Sequence, residues 1–473
     1  MAPSVTRQLQ EFGRPDVLIL GSGQAGLAAA VSAASAGARV LILEKRSIIG
    51  GSTAMSSGLT AYAGTDEQAL IGVRDDVESL RNDIFATGQG KSDPALVDVY
   101  CREQLSTYHW LKELGVSYGH VHAASGQSVP RSHSTDPSRM VETLLKRAEG
   151  LGALLLLEVR ALQLLTSDET VTGVMAEIHG GIHAIEAGSV VLATGGFSQN
   201  VELLERFAPH MVHAVRGGAP GSEGDGLLMG WRIGADFRDT PYVKGTYGIY
   251  PHEDARESGT GILAVYKGAI AVNADGQRYT DEAKPYKALG DDCLAQPGHM
   301  TWQIFDATVM ERDDPSVEIY CFSGRLATGL LEVADTLQDL AAGLGIPAEA
   351  LVRTVDAYNA ACRGECADPF GRTHLSGEVG TPTPIDTPPF YAHLSTASVL
   401  ATYCGLTIDT STRVLNVYGE EIPGLFAAGE VTGGFHGSGY VTGTSVGKSG
   451  IFGRIAGASA AEFALAHRVD TDA

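Results

Sequence analysis

Residues 16–20 (DVLIL) form a short unbroken aliphatic run that ends on glycine, the pattern of a strand buried on both faces of a parallel sheet. The glycine-rich GSGQAG follows at residues 21–26, and an alanine-rich stretch of high helix propensity covers residues 27–36 before Gly37 stops it. Residues 38–44 (ARVLILE) predict a second strand, so the segment reads as one strand–helix–strand unit. Residues 92–115 carry an amphipathic helical pattern, and the Asp-Pro pair at 136–137 opens a second helix that runs to residue 150. Strand-like segments return over residues 153–194. Between residues 246 and 402 prolines and aromatics increase and the βα alternation fades; Gly- and Ala-rich sequence then resumes and ends in a helix over about 445–466. The whole predicts an α/β chain: a Rossmann-like dinucleotide domain made discontinuous (residues 1–245 and 403–473) by an inserted α+β capping domain (residues 246–402).

Composition narrows the partners. The chain holds 34 Lys+Arg against 56 Asp+Glu, a net charge of −22, which repels phosphate backbones and anionic bilayers and argues against nucleic acid. A local basic pocket for a substrate anion is compatible with that balance. The six cysteines are sparse and form no CxxC pair, and no spacing supports a metal site, so reduced thiols are expected. The first fifteen residues lack a signal-peptide core, and no run approaches the ~20 apolar residues of a membrane span. A cytoplasmic protein without a transmembrane segment is the expectation.

GxGxxG is a common pattern, but here a strand precedes it, a helix follows it, and Glu44 ends the second strand eighteen residues after Gly26. Gly21 allows the tight turn, Gly23 lets main chain approach a pyrophosphate, Gly26 lets helix and sheet close, and the helix N-terminus supplies N–H donors. Glu44 is placed to accept from ribose hydroxyls. The choice of FAD over NAD comes from elsewhere in the chain. Ala193, Thr194, Gly195 and Gly196 follow a predicted strand at 189–192 and resemble the second glycine signature of two-dinucleotide flavoproteins. Gly50 begins GGSTAMSSG, and GLFAAGE at residues 424–430 ends a strand on Gly429 and Glu430.

These segments, with GDGLLMGWRIGAD at residue 224 and GLFAAGEVTGGFHG at residue 424, occur in the order found in the flavoprotein family of soluble fumarate reductases and 3-ketosteroid dehydrogenases, which the chain resembles over nearly its whole length. The resemblance implies a noncovalent FAD, since Ser52 stands where succinate dehydrogenase flavoproteins carry a tethering histidine. It extends the cofactor contacts to Gln24, Ala25, Lys45, Gly51, Ser52, Thr53, Ser57, Gly58, Asp225, Thr444, Ser445 and Val446, and it implies a cap over the flavin ring.

The family's dicarboxylate-clamping residues are replaced. Tyr286 occupies the place of the proton-donating arginine, after the segment NADGQRY at residues 273–279, and Tyr440 that of the clamping arginine. Ala401 replaces a substrate histidine, and Pro251 displaces another to His252. Without an arginine pair a bare dicarboxylate is poorly compensated for its lost water. Tyrosines at these places belong to the 3-ketosteroid dehydrogenase branch. There a phenol donating to a carbonyl stabilises an enolate as an oxyanion hole, and a second phenol moves the alpha proton.

The resemblance thus implies Tyr286 as base and Tyr440 as carbonyl donor beside the Gly443 N–H, with Thr442 as relay; the two tyrosine roles are interchangeable at this level. His436 is read as orienting main chain near the flavin, and Arg131, His133 and Lys267 as candidates to approach the substrate. The pairs Asp75-Asp76 and Asp291-Asp292 read as solvated surface. The leading function is an FAD dehydrogenase that desaturates a cyclic ketone, a 3-ketosteroid or a smaller ring, next to its carbonyl, passing electrons to an external acceptor. The alternatives are an ene-reductase of enones or unsaturated acids fed by an external donor, and a flavin carrier without catalysis.

Overall fold

The computed structural model describes residues 5–251, 261–315, 317–375 and 380–468. Every residue of Val17–Leu20 (β1), Val40–Glu44 (β2) and Ser189–Leu192 (β4) is buried, as unbroken aliphatic runs require. With Leu154–Leu157 (β3), Arg413–Leu415 (β5) and Glu421–Ala427 (β6) they form one sheet in the order β5–β6–β4–β1–β2–β3. All pairs are parallel except β5 with β6 at the edge. The chain thus crosses from β1 outward to β2 on one side and later to β4 on the other. This reversal of strand order opens a crevice at the strands' carboxyl ends.

Two helices meet behind that crevice, Gln24–Ser35 (α1) and Thr444–Ala466 (α2). Their approach explains the Gly- and Ala-rich texture: a Cβ on Gly457 would fall 2.1 Å from Ala29 O, and one on Gly453 2.5 Å from Ala25 O. Both helices expected between residues 92 and 150 are present, as Pro94–Glu113 and Pro137–Gly150. Each starts with proline at N1 and is capped by an aspartate, Asp93 accepting from Ala95 N and Leu96 N, Asp136 from Ser138 N and Arg139 N.

The chain divides into two compact units: Met1–Leu203, Gly218–Val243 and Ala401–Ala473 in the first, Leu204–Gly217 and Lys244–Leu400 in the second. Residues 204–217, which the sequence reading leaves with the nucleotide domain, therefore belong to the second. That unit is built on residues 390–400 of the long strand Phe390–Thr402, flanked by Thr301–Asp306 and Val215–Arg216, with Ile270–Val272 beyond. Its apolar residues form two clusters, one around Phe305, Leu289 and Val265, the other around Ile304, Leu351 and Tyr358. Among the described residues no helix is long and apolar enough to cross a membrane.

Candidate active site

A cleft in the first unit gathers the motif residues from six segments of the chain. Gly21, Gly23, Gln24 and Ala25 come from the first turn; Glu44 and Lys45 from the end of β2; Gly51, Ser52 and Thr53 from the short helix Gly51–Ala54 that follows. Ala193, Thr194, Gly195, Asp225, Gly429 and Glu430 complete the set. Gly21 holds φ at +108°, and a Cβ there would lie 2.3 Å from Ala193 O; one on Gly26 would lie 2.0 Å from Gly21 O. Gly23 differs. A Cβ there would meet nothing in the protein nearer than 3.7 Å, so its bareness leaves the N-terminus of α1 open to the cleft that it lines.

Three observations test whether FAD fits. The bare Gly23 leaves the first turn of α1, with its N–H groups, open to a pyrophosphate in the cleft. Glu44 accepts from Ser22 N, Ser22 Oγ and Arg46 N, which uses three of a carboxylate's four acceptor sites and leaves one for a ribose hydroxyl. Ile48, Ile49, Val159 and Met229 supply apolar wall for a flat ring. The residues fit the group.

Lys45 and Arg160 both pair with Asp225, and Lys45 also with Glu223, so the cations at this edge are matched by acids. Ser52, on the wall, stands with its Oγ 3.4 Å from Ser222 Oγ. The remaining expected contacts, Gly26, Ser57, Gly58, Gly196, Thr444, Ser445 and Val446, lie outside this wall. Gly26 and Gly58 serve packing, a Cβ on Gly58 falling 1.9 Å from Thr135 O, and Gly196 leaves room for the Glu430 carboxylate. Ser57 is exposed, and Thr444, Ser445 and Val446 form the first turn of α2.

The two tyrosines fall in different units. Tyr286 is the first residue of the helix Tyr286–Leu294 and packs, half-buried, on the Phe305 cluster. Tyr440 stands half-buried in the first unit, its ring 5.7 Å from that of His436 and 6.3 Å from that of Tyr403. Its hydroxyl oxygen accepts the Gly443 N–H at 3.0 Å. The N–H expected beside Tyr440 as a second donor here donates to Tyr440 itself. Gly443 has φ +93° and a Cβ there would lie 2.5 Å from Ala61 N, so the N–H is held by tight packing. Thr442 is fixed through its main chain, its N–H donating to Ser125 O and its carbonyl accepting from Gln127 Nε2.

Other candidates are held by contacts within the protein. Arg131 is fully buried and held by Asp75 and Asp83, and the Asp75 side chain is itself 0 % exposed, not solvated surface. His133 bridges Thr65 Oγ1 and Arg131 O among Tyr62, Tyr108 and Tyr118, and burial pulls its pKa down. Lys267 lies over the Tyr320 ring. Asp291 pairs with Lys287, its other oxygen buried. His436 is buried against Tyr403. His252 lies outside the described residues.

Residues 16–446 match the profile of the FAD binding domain. The chain belongs to that family. Over 459 residues it is 32 % identical to a probable fumarate reductase, Ifc3, of Shewanella frigidimarina, covering 95 % of this chain and 75 % of the relative. It is also 32 % identical over 464 residues to the urocanate reductase of Eggerthella lenta, with the same two shares. Among solved structures, the 3-ketosteroid-Δ4-(5α)-dehydrogenase of Rhodococcus jostii RHA1 is similar with a TM-score of 0.75 and 28 % identity, over 98 % of this chain and 100 % of that one. The protein is an FAD-binding oxidoreductase.

Several walls of the FAD cleft escape motif reading. Ser222 sits three residues before Asp225, close enough to the GDG signature to be sought. Val159, Arg160 and Ala161 line the cleft from the start of an antiparallel strand. They are placed there by the register of the chain after β3, and no residue type marks them.

Proposed function

We propose that the protein adds a hydrogen pair across a carbon–carbon double bond conjugated to a carbonyl, as a reductase of enones or unsaturated acids that carry no second carboxylate, using an external electron donor. The observation that carries this reading is the Tyr440 hydroxyl, which accepts the Gly443 N–H at 3.0 Å at a position where the resemblance expects an arginine. A phenol whose oxygen takes an N–H has its own O–H polarised outward, a better donor to a substrate carbonyl. Bound FAD supplies the two-electron chemistry at the beta carbon. Tyr440 would hold the carbonyl oxygen as it gains charge, and the family resemblance assigns to Tyr286 the delivery of the proton to the alpha carbon. His436 and Tyr403 back the Tyr440 ring and limit its rotamers.

The two 32 %-identical relatives named above are both reductases, which supports this direction. The same residues run in reverse would desaturate a cyclic ketone. That second reading is favoured by the phenol pair and by the likeness to a 3-ketosteroid dehydrogenase over the full length of both chains.

Anaerobic assays separate them. Reduced methyl viologen with a panel of enones, mono-unsaturated acids and fumarate tests reduction; dichlorophenolindophenol with cyclic ketones tests desaturation. Enone consumption faster than fumarate consumption supports the first reading, and dye bleaching by ketones alone the second. Fumarate as the best substrate would overturn both.

A further inference from the structure

A buried amine lies directly behind the cleft wall. Lys448, on α2, is 3 % exposed, and its Nζ donates to Thr432 O at 2.6 Å. Thr432 Oγ1 donates back to Gly429 O at 2.8 Å. Gly429 and Glu430 line the cofactor cleft, and so does Ser449, the neighbour of Lys448 on the helix. Two acids act on the amine, Asp239 and Glu430. The Asp239 carboxylate accepts the Gly434 N–H, and Glu430 Oε1 accepts the Thr402 N–H at 2.9 Å. Lysine is almost never buried without partners, because an ammonium loses its water. Here every partner belongs to, or braces, residues 429–434.

We propose that Lys448 is a positioning residue for FAD: its ammonium ties residues 429–434 to α2 and so holds Gly429 and Glu430 in the cleft wall. Burial pushes the amine down to about 8, against the opposing pull of Asp239 and Glu430. The other charged group near Asp239 is Arg238, which in turn pairs with Asp93. Cys404, which feels both acids, is pushed up to about 12 by burial and stays neutral across the working range. Above about pH 8 the neutral amine keeps an N–H for Thr432 O but loses its attraction to the two acids. FAD retention therefore weakens as pH rises through that point.

Equilibrium release of FAD from the full-length protein, followed by flavin fluorescence from pH 6.5 to 9.5, reads this directly. For the wild type the dissociation constant stays level to about pH 7 and then rises about tenfold, the factor that 1.4 kcal/mol gives. Lys448→Met binds FAD more weakly at pH 7 and shows no inflection; Lys448→Arg keeps the affinity at pH 7 and removes the inflection. Asp239→Asn moves the inflection to lower pH, because one acid that favours the ammonium is gone. A level wild-type profile, or Lys448→Met with wild-type affinity and the same inflection, overturns the assignment. If Lys448→Met does not fold, the wild-type and Asp239→Asn profiles decide.

Discussion

In the first unit the FAD cleft is shaped largely by what the chain omits. Glycines at 21, 26 and 58 stand where a Cβ would fall within 2.3 Å of a carbonyl oxygen, so main chain packs on main chain. In the second unit, order around residues 273–282 comes from side chains. Arg278 grips Glu282 through Nε and Nη2 and reaches Asp368; Arg372 donates to the same Glu282 and to the carbonyls of Ala269 and Val265; Glu282 also takes the Ala271 N–H. Both arrangements are buried and specific. The first depends on absent atoms, which a sequence displays as glycine at fixed spacing. Apart from the local Arg278–Glu282 pair, the second depends on partners 90 residues away, which it does not display.

The sharpest break of this contrast is Gly26→Ala. Its methyl would sit on Gly21 O, and the turn cannot shift without displacing β1 from β4, so the purified protein should be colourless, without bound FAD. Gly37→Ala is the control, since nothing lies within 4 Å of a Cβ there and only its φ of +87° opposes the change. That strain costs roughly 1–2 kcal/mol, and the protein should stay yellow. Gly26 is helical and free of that strain, so flavin retained in Gly26→Ala would show that close packing is not what makes glycine necessary there.

On the other side stands Glu282→Ala. It leaves two arginines and an amide hydrogen without their acceptor in a place where Glu282 and Arg372 are 0 % exposed. Removing one member of a buried ion cluster costs about 3–5 kcal/mol. Urea unfolding should register that loss, and hydrogen exchange should place it at Ala271 and its neighbours. A change below about 1 kcal/mol would show the cluster to be no stronger than a surface pair.

Next in size is Tyr440→Phe. Losing one oxyanion-type donor lowers turnover about 10²–10³-fold, some 2.7–4 kcal/mol of barrier, while FAD stays bound. Tyr440 belongs to neither side of the contrast: a functional side chain aimed by a glycine N–H. Full activity in this variant would remove it from the mechanism.

What was legible follows the same division. The β1–loop–α1–β2 unit, the strand at 189–192 beside β1, both Asp-capped helices and the C-terminal helix were all readable, because each rests on local period, local capping or a spaced glycine. Asp75 was not. Beside Asp76 it reads as surface, and Arg131, 56 residues on, with Gln68 makes it a buried partner. Arg278 and Asp368 are 90 residues apart, and nothing near either announces the other. The Gly443 N–H is a third kind of case. The sequence names the residue, but the direction of its N–H depends on the turn at 440–443, which in this structure aims it at Tyr440.

Asp93 lies between the two kinds of order and gives the smallest expected effect. One oxygen caps Pro94–Glu113 by accepting from Ala95 N and Leu96 N; the other takes Arg238 Nη1 at 2.7 Å. Its own N–H donates to Gly434 O, a main-chain bond that any residue would keep. Asn is as good an N-cap as Asp, so Asp93→Asn removes only the ion pair, and with Arg238 34 % exposed that is worth at most about 1 kcal/mol. Asp93→Ala removes the cap as well and costs about 1 kcal/mol more. Paired urea denaturation curves resolve the two increments. Should Asp93→Asn lose as much as Asp93→Ala, the charge pair with Arg238 would be what orders this corner, a second place in the first unit, beside Arg131 and Asp75, held by distant side-chain pairing.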